Sequence, residues 1–312
     1  MKNKMIILTG PTAVGKSDIS IEFAQKINGE IISADSMQVY KYMDIGSAKI
    51  AKDQMGGIEH YLIDVIEPTE DFNVYIFQKM AKEAVEKIYS KGKIPIIVGG
   101  TGFYIQALLY DINFEEEDNS EVRKKYTELA QAKGNDYLYD LLKEKDPAYA
   151  GTLHANNVKR VIRALEYMEL NDELFSVHNE KERQKESPYD FRYFVLEDDR
   201  DRLYANIEKR VDKMISDGLV NEVSRLQSMG LTRNNVSMQG LGYKEILDYL
   251  DNKCSLEEAI EKIKLETRHF AKRQLTWFRR ERDVIWISKK DFSYDKNKIL
   301  EYMINMTTDK EN

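Results

Sequence analysis

The sequence predicts an α/β fold in which a parallel β-sheet is flanked by helices and interrupted by an inserted all-helical subdomain. Three observations support this prediction. Short apolar runs alternate with amphipathic helical patterns in the N-terminal part of the chain, which is typical of parallel strands joined by crossover helices. This alternation stops near Asp111 and gives way to helical periodicity alone. Strand-like and helical segments return after Pro188.

The predicted core consists of residues 1–112 and 188–312, and residues 113–187 are the predicted helical insertion. An acidic run at 115–118, interpreted as a solvated loop, lies near the start of the insertion. Core strands are predicted at 5–9, 30–34, 60–66, 94–98, 192–196 and 284–287, and core helices at 16–27, 74–90, 201–228 and 255–282.

Composition narrows the classes of protein to which the chain can belong. Of its 312 residues, 42% are hydrophobic and 32% charged, as in an ordinary globular protein. No apolar stretch reaches the roughly 18 residues that a membrane helix needs, and the first apolar run is too short for a signal peptide. We therefore expect a cytoplasmic protein with no membrane partner, and a monomer. The single cysteine, Cys254, excludes internal disulfides and zinc sites built on paired cysteines.

A phosphate-binding loop precedes the first predicted helix. It matches the P-loop pattern G-x-x-x-x-G-K-[ST] and consists of Gly10, Pro11, Thr12, Ala13, Val14, Gly15, Lys16 and Ser17. Its glycines let backbone amides surround phosphate oxygens, and the N-terminus of the following helix favours an anion. Lys16 supplies a cation and Ser17 a hydroxyl ligand for Mg²⁺. The motif indicates a P-loop NTPase-like core that binds a diphosphate or a nucleotide such as ATP, with Mg²⁺ as cofactor.

Polar residues follow the other predicted strands. Asp35 and Gln38 come after the second strand, and Thr101 lies in a glycine-flanked turn after the fourth. Ligands of open α/β sheets bind outside the carboxyl ends of the strands, so these groups are expected beside the phosphate loop. Two alternatives stay open, namely that Asp35 is a helix N-cap or an outer-shell magnesium partner and that Thr101 only forms the turn. Asp64, on the third strand, is a further candidate for organising magnesium.

These motifs together resemble the bacterial tRNA dimethylallyltransferases, also called tRNA isopentenyltransferases. The resemblance runs in order from residue 10 to about residue 280. It rests on the segments GPTAVGKS, ADSMQVYK, DIGSAK, HYLIDV, VGGTGFY, NNVKRVIRALE, LGYKE and TRHFAKRQLTWFR. The chain departs from the family pattern at Ala155, where a proline is usual, and at Ser47, where a threonine is usual. Neither position is assigned chemistry, so both departures concern local detail.

The resemblance implies transfer of the dimethylallyl group of dimethylallyl diphosphate to the exocyclic amine of the adenosine 3′-adjacent to the anticodon of tRNA, with release of diphosphate. Asp35, Thr101 and Lys16 are the implied catalytic residues. Asp35 would accept the amine proton, while Lys16 and Thr101 would stabilise the charge on the leaving diphosphate. Gln38 has the amide geometry to read an adenine edge. The implied tRNA-binding residues are Asp35, Ser36, Met37, Gln38, Thr101, Arg123, Lys159, Arg160, Val161, Ile162 and Arg163.

Charge is unevenly distributed along the chain. The formal net charge of −7 argues mildly against a nucleic-acid partner, yet residues 264–282 contain seven Lys or Arg against two Glu. Within the predicted helix, one stripe suited to a phosphate backbone would consist of Arg268, Lys272, Arg279 and Arg282. Trp277 and Phe278 are expected to be core residues rather than platforms for base stacking. A solvated face is the alternative for the basic run at 159–163.

Three other functions share some of these features. A P-loop small-molecule kinase would use the loop for ATP and transfer its γ-phosphoryl group, but no short arginine-bearing lid is recognisable. An adenylate isopentenyltransferase would prenylate a free nucleotide, whereas the helical insertion and the basic segment favour tRNA. A non-enzymatic RNA-binding protein with a regulatory P-loop would leave Asp35 and Thr101 without a role.

Overall fold

The computed structural model of the protein describes residues 2–114 and 120–308. The acidic run predicted to be a solvated loop, 115–118, lies outside the described residues. In the part of the chain that is described, no helix is both long enough and apolar enough to cross a membrane.

Contacts divide the chain into two units. The core unit comprises Met1–Leu109 and Pro188–Asn312, and the helical unit comprises Tyr110–Ser187. The helical unit begins at Tyr110 rather than at residue 113, where the change of periodicity in the sequence placed it.

A parallel β-sheet of six strands forms the centre of the core unit. In chain order the strands are β1 (Lys4–Thr9), β2 (Gly29–Ala34), β3 (His60–Tyr61), β4 (Ile94–Gly99), β5 (Asp190–Glu197) and β6 (Val284–Ser288). Their order across the sheet is β3-β2-β4-β1-β5-β6, and every neighbouring pair is parallel. The apolar side chains of β1, from Met5 to Leu8, are fully buried, as expected for an interior strand covered on both faces. The predicted fold class is therefore confirmed.

Helices flank the sheet. Those of the core unit are α1 (Lys16–Ile27), α2 (Val74–Ser90), α3 (Gly102–Leu109), α9 (Arg200–Ser216), α10 (Leu219–Ser228), α11 (Tyr243–Leu250), α12 (Leu256–Phe278) and α13 (Lys296–Thr308). Phe23 of α1 packs edge-to-face on Phe194 of β5, with 6.2 Å between ring centroids. A capping box starts α12, in which Ser255 and Glu258 each accept a hydrogen bond from the other's backbone N–H.

Three predicted elements were wrong in extent. The third strand was predicted at 60–66 but ends at Tyr61, because Leu62 and Asp64 adopt positive φ angles of 62° and 57°, which extended strands exclude. The helix predicted at 201–228 is two helices, since Gly218 adopts a φ of 103° between α9 and α10. The helix predicted at 255–282 ends at Phe278.

The helical unit has a hydrophobic core of its own. Its helices are α4 (Ser120–Lys133), α5 (Asn135–Lys145), α6 (Pro147–Ala150), α7 (Val158–Asn171) and α8 (Phe175–Gln184). Leu138 and Leu142 of α5 pack with Val161 and Leu165 of α7, and all four side chains are almost completely buried.

One buried carboxylate joins two helices of this unit. Asp146 is fully buried, and its two oxygens accept hydrogen bonds from the backbone N–H groups of Tyr149, at 3.0 Å, and Ser176, at 2.7 Å. The first bond caps α6 and the second holds the start of α8. Both donors would lose their partner if the carboxylate were removed.

We predict that Asp146→Ala destabilises the helical unit by about 2–4 kcal/mol, the cost of two buried N–H groups left without an acceptor. Urea unfolding would give the loss of free energy, and hydrogen exchange would place it, because the amides of Tyr149 and Ser176 should exchange first. Asp140→Ala, at an exposed position of α5, is the matched control. Equal stability of the two variants would contradict this account of Asp146.

Candidate functional site

The carboxyl ends of three adjacent strands carry the predicted site. Because β4 lies between β2 and β1, the residues that follow these strands lie side by side. The backbone N–H of Thr101 donates to the carbonyl of Ala34, the residue before Asp35, at 3.3 Å. On the other side, a Cβ placed on Gly100 would lie 3.7 Å from the carbonyl oxygen of Gly10. Asp35, the Thr101 turn and the P-loop thus form a row along one edge of the sheet.

The P-loop has a backbone that only particular residues permit. Gly10, with a φ of 146°, lies so close to the end of β5 that an added Cβ would be 2.4 Å from the carbonyl oxygen of Leu196. Ala13 and Gly15 have φ angles of 63° and 93°. Ser17 lies in the first turn of α1 with an exposed side chain. These conformations match the predicted phosphate cradle at the start of α1.

The ammonium of Lys16 is folded onto the loop that precedes it. It donates hydrogen bonds to the carbonyl oxygens of Gly10 and Pro11, each at 2.9 Å. Burial, and after it the charge of Arg210, lower the pKa of Lys16 to about 7, while the carboxylate of Asp35 acts in the opposite direction. Because this pKa is so low, an anion bound beside Lys16 would stabilise the protonated ammonium.

Two further cations reach the P-loop from distant parts of the sequence. Arg210 of α9 donates from Nη1 to the hydroxyl of Thr12 at 3.3 Å. Burial lowers the pKa of Arg210 and Asp35 opposes the shift, but a guanidinium stays charged because its ordinary pKa is so high. Lys289, after β6, donates to the carbonyl of Val14 at 3.1 Å and forms an ion pair with Asp198 at 3.4 Å.

The carboxylate of Asp35 closes a turn on the backbone that follows it, and because residues 36–39 form this turn rather than a helix, Asp35 is not a helix N-cap. Its Oδ1 accepts hydrogen bonds from the backbone N–H groups of Met37, at 2.8 Å, and Gln38, at 3.4 Å. The turn uses one carboxylate oxygen, so Oδ2 lies outside it. Asp35 is half-buried and interacts electrostatically with both Lys16 and Arg210. The turn fixes the carboxylate beside the phosphate cradle.

The residues after Asp35 have specific packing partners. Gln38 accepts from the Ser33 hydroxyl at 3.3 Å through Oε1 and donates from Nε2 to the carbonyls of Ser47 and Ala48, each at 3.4 Å. The side chain of Met37 packs against Gly240, where an added Cβ would be 2.6 Å from its methyl carbon. Ser36, between Asp35 and Met37, is half-buried.

A buried carboxylate of α10 organises the loop that Gln38 contacts. Glu222 is 5% exposed and accepts four hydrogen bonds. Three come from the consecutive backbone N–H groups of Asp44, Ile45 and Gly46, at 2.8–3.1 Å, and the fourth from the Tyr243 hydroxyl at 2.8 Å. The Tyr243 ring lies against Gly46, where an added Cβ would be 2.5 Å from the ring.

Asp64 is engaged by a lysine. Lys49, whose side chain is 3% exposed, forms ion pairs with Asp64 at 2.5 Å and with Asp44 at 2.7 Å, and it donates to the carbonyl of Tyr40 at 2.7 Å. The carboxylate of Asp64 thus pairs with a buried ammonium in this structure, and its role in organising magnesium stays a prediction.

Few protein groups are available to hold a metal. Among the described residues no group of three or more His, Cys, Asp or Glu side chains could hold a metal ion. The exposed hydroxyl of Ser17 remains as the predicted ligand. Mg²⁺ commonly keeps several waters and binds through one or two protein groups together with substrate phosphates. This donor set fits such an ion, and it does not fit a metal held by protein ligands alone.

Helix α12 packs against both the Thr101 turn and the P-loop. Gln274 accepts from the backbone N–H of Thr12 at 2.8 Å and donates to the carbonyl of Gly100 at 3.0 Å. Trp277, one turn further along, leaves no room at Gly102, where an added Cβ would be 2.2 Å from the indole ring. The turn and the P-loop are therefore both attached to α12.

The predicted tRNA-binding residues of the helical unit have two kinds of environment. Lys159, Arg160 and Arg163 are exposed on α7. Val161 and Ile162 are 1% and 8% exposed and pack in the core of the unit, so their place among the tRNA-binding residues stays a prediction that their side chains do not support. Arg123 is held by Glu166, which accepts from Nε at 3.1 Å and from Nη2 at 2.8 Å.

The predicted basic stripe is only partly helical. Arg279 and Arg282 lie beyond the end of α12 at Phe278, so they do not continue its surface. Arg268 donates to Glu208 of α9 at 2.6 Å, whereas Lys272 is exposed. Phe278 is fully buried and Trp277 half-buried, in keeping with their expected place in the core.

Sequence reasoning missed four residues of this region, which are Arg210, Glu222, Gln274 and Lys289. Gln274 lies within the segment TRHFAKRQLTWFR, which the resemblance singled out without assigning this residue a role. Lys289 directly follows a strand, the same signal that identified Asp35. Nothing local distinguishes the other two, since each is one charged residue of an amphipathic helix.

Comparisons with known proteins identify the family of the chain. The model of the IPP transferase family matches residues 38–281. The tRNA dimethylallyltransferase of Lachnoclostridium phytofermentans is 59% identical over 308 residues, which cover 98% of each chain.

Solved structures give the same result. A tRNA isopentenylpyrophosphate transferase from Bacillus halodurans is 39% identical with a TM-score of 0.73, covering 98% of this chain and 97% of its own. A eukaryotic dimethylallyltransferase described as acting on tRNA is 30% identical with a TM-score of 0.85, covering 98% of this chain and 79% of its own. The family suggested by the sequence motifs is thereby confirmed, and the chain belongs to the IPP transferase family.

Proposed function

We propose that this protein transfers the dimethylallyl group of dimethylallyl diphosphate to the exocyclic amine of the adenosine 3′-adjacent to the anticodon in tRNA and releases diphosphate. Family membership and the printed activities of the relatives support the proposal. The observation that carries it is the row formed by Asp35, the Thr101 turn and the P-loop, which sets an acid, a hydroxyl and a phosphate cradle side by side.

The donor half of the site is positively charged. Lys16 and Arg210 would contact the diphosphate together with the amides at the start of α1, and Lys289 lies close to Gly15 of the same loop. Charge develops on the diphosphate as its bond to the allylic carbon breaks, so fixed cations stabilise the transition state. Mg²⁺, held by Ser17 and the diphosphate, would neutralise part of this charge.

The acceptor half of the site needs a general base to take the proton and enough room for one adenine. The adenine amine is a poor nucleophile because its lone pair is delocalised into the ring. As the new C–N bond forms and the C–O bond to diphosphate breaks, the amine loses a proton, and Asp35 would accept it. Gln38 offers an amide for the adenine edge, and the base must leave its stack to reach these groups. Thr101 would donate to the leaving oxygen.

The exposed cations of α7 would bind the phosphate backbone of the tRNA. Lys159, Arg160 and Arg163 are presented on the surface of a unit that has its own core. A pocket for one base and a diphosphate is much smaller than an anticodon stem-loop, so a second surface is needed. Arg123 would first have to leave Glu166, and Arg123 is therefore a less direct candidate.

The decisive experiment compares tRNA with AMP as the acceptor and then replaces the proposed general base, Asp35. Protein incubated with labelled dimethylallyl diphosphate and Mg²⁺ should label tRNA and leave AMP unlabelled. In Asp35→Asn we expect turnover to fall by roughly 100-fold or more, with tRNA and donor affinities little changed, because the amide keeps the turn but cannot accept the proton. ATP-dependent phosphorylation of a small acceptor without prenyl transfer would reject the function, and near-normal turnover of the variant would make Asp35 structural.

Binding of diphosphate should raise the proton occupancy of Lys16. With a pKa of about 7 the ammonium is partly neutral at pH 7.5, and an adjacent anion raises this pKa. Binding should therefore take up protons, and affinity should fall by up to about tenfold per pH unit as pH rises above 7.

Calorimetry of inorganic diphosphate at pH 7.5, in two buffers of different ionisation enthalpy, measures that uptake. Lys16→Arg is the control, since arginine is charged throughout and the titration of the ligand itself is common to both proteins. Equal proton uptake by the two proteins would show that Lys16 is already fully charged.

Neutralising two arginines of α7 should weaken tRNA binding and reduce its dependence on salt. In Arg160→Gln with Arg163→Gln, we expect the slope of log affinity against log salt to fall by roughly two units, while donor binding stays unchanged. The control, Lys124→Gln with Arg183→Gln, removes the same charge from other exposed positions of the helical unit. An identical slope in the wild type and both variants would show that the basic face of α7 is only solvated and does not bind tRNA.

A further inference from the structure

Thr101 lies between two glycines that have no conformational reason to be glycine. Neither Gly100 nor Gly102 adopts a positive φ. Each is instead pressed against α12, where a Cβ on Gly100 would be 2.1 Å from Nε2 of Gln274 and one on Gly102 would be 2.2 Å from Trp277. The glycines therefore allow α12 to approach the turn on both sides of Thr101.

The side chain of Gln274 is well suited to hold two main-chain segments at a fixed separation. It is 6% exposed, and both ends of its amide are used, one by the N–H of Thr12 and the other by the carbonyl of Gly100. A glutamine amide supplies one acceptor and one donor at the same end without carrying a charge. The amide thus links the P-loop, where diphosphate would bind, to the turn that carries Thr101.

We propose that Gln274 is a positioning residue of the transfer reaction, which holds Thr101 at a fixed place relative to the phosphate cradle through its hydrogen bonds to Thr12 and Gly100. This inference rests on the proposed function. Both polar atoms of the Gln274 amide bind main-chain groups, so the residue is not expected to bind either substrate directly. It acts through Thr101, so its loss should impair turnover more than donor binding, which depends on Lys16 and the amides beyond Thr12.

The test is Gln274→Met, which keeps the length of the side chain and removes both hydrogen bonds. We expect kcat to fall roughly 10- to 100-fold, the effect of a small misplacement of a group that acts on the reacting atoms. The affinity for dimethylallyl diphosphate should change by less than about threefold, since the phosphate contacts remain.

The structure supplies a matched control in Gln78. It is also 6% exposed, and it donates at 2.8 Å to the carbonyl of Ala107, in the helix that follows the Thr101 turn but away from the site. Gln78→Met should keep kcat near the wild-type value. Gln274→Glu serves where the methionine variant does not fold, because it retains the acceptor for Thr12 and, when ionised, replaces the donor to Gly100 with an oxygen that the carbonyl repels.

A double-mutant cycle separates positioning from general stability. If Gln274 acts through Thr101, then Gln274→Met in a Thr101→Ala background should cost less than about threefold in kcat, because the group that it positions is already gone. If the kcat losses of Gln274→Met and Thr101→Ala multiply in the double variant, the proposal is overturned. A kcat of Gln274→Met within about twofold of the Gln78→Met value would also overturn it.

Hydrogen exchange gives a readout that does not depend on the reaction. Amides of the segment 100–105 should exchange faster in Gln274→Met than in wild type, while those of β2 stay protected. Unchanged exchange at 100–105 would overturn the proposal whatever the chemistry is. A wild-type protein without prenyl transfer would reject the proposed function, and the exchange comparison would still decide whether Gln274 fixes the turn.

Discussion

The order β2-β4-β1 in the parallel sheet is the constraint on which the site depends. Backbone pairing of these strands puts their carboxyl ends side by side, and the three segments that follow them carry the carboxylate, the hydroxyl and the phosphate loop. The N–H of Thr101 continues this pairing beyond β4 by donating to Ala34. Chemistry at the edge is therefore aligned by main-chain hydrogen bonds, and side chains of later helices only refine the alignment.

Residues from distant parts of the sequence place charges and hydrogen bonds at this edge of the sheet. The P-loop is contacted by Arg210 of α9, by Gln274 of α12 and by Lys289, which follows β6, whereas Glu222 of α10 binds the loop after Asp35. The C-terminal half of the core unit thus surrounds a site whose motifs all lie in the N-terminal half. A bound diphosphate would meet cations from both halves.

The sequence was most informative where local rules act. The bounds of α1 and α2 agree with their patterns, since a glycine or a cap marks each end. It was less informative where one residue decides the outcome, as at Gly218, which divides a continuous helical pattern in two. Long-range partners such as Glu222 and Arg210 could not be predicted, because a charge on an amphipathic helix does not indicate what it will meet. Val161 and Ile162 lie within a basic motif and yet face the core of the helical unit, which the motif alone does not indicate.

The clamp made by Glu222 affects how the neighbouring loop tolerates change. Its carboxylate binds the main chain at 44–46 rather than any side chain there, so the anchor does not depend on the side chain at Ile45, whereas the side chain of Asp44 also pairs with Lys49. Gly46 is the exception, because the Tyr243 ring occupies the place of a side chain. Random mutagenesis of this loop should thus yield folded proteins with many substitutions at Ile45 and very few at Gly46, although the two residues are neighbours and share one anchor.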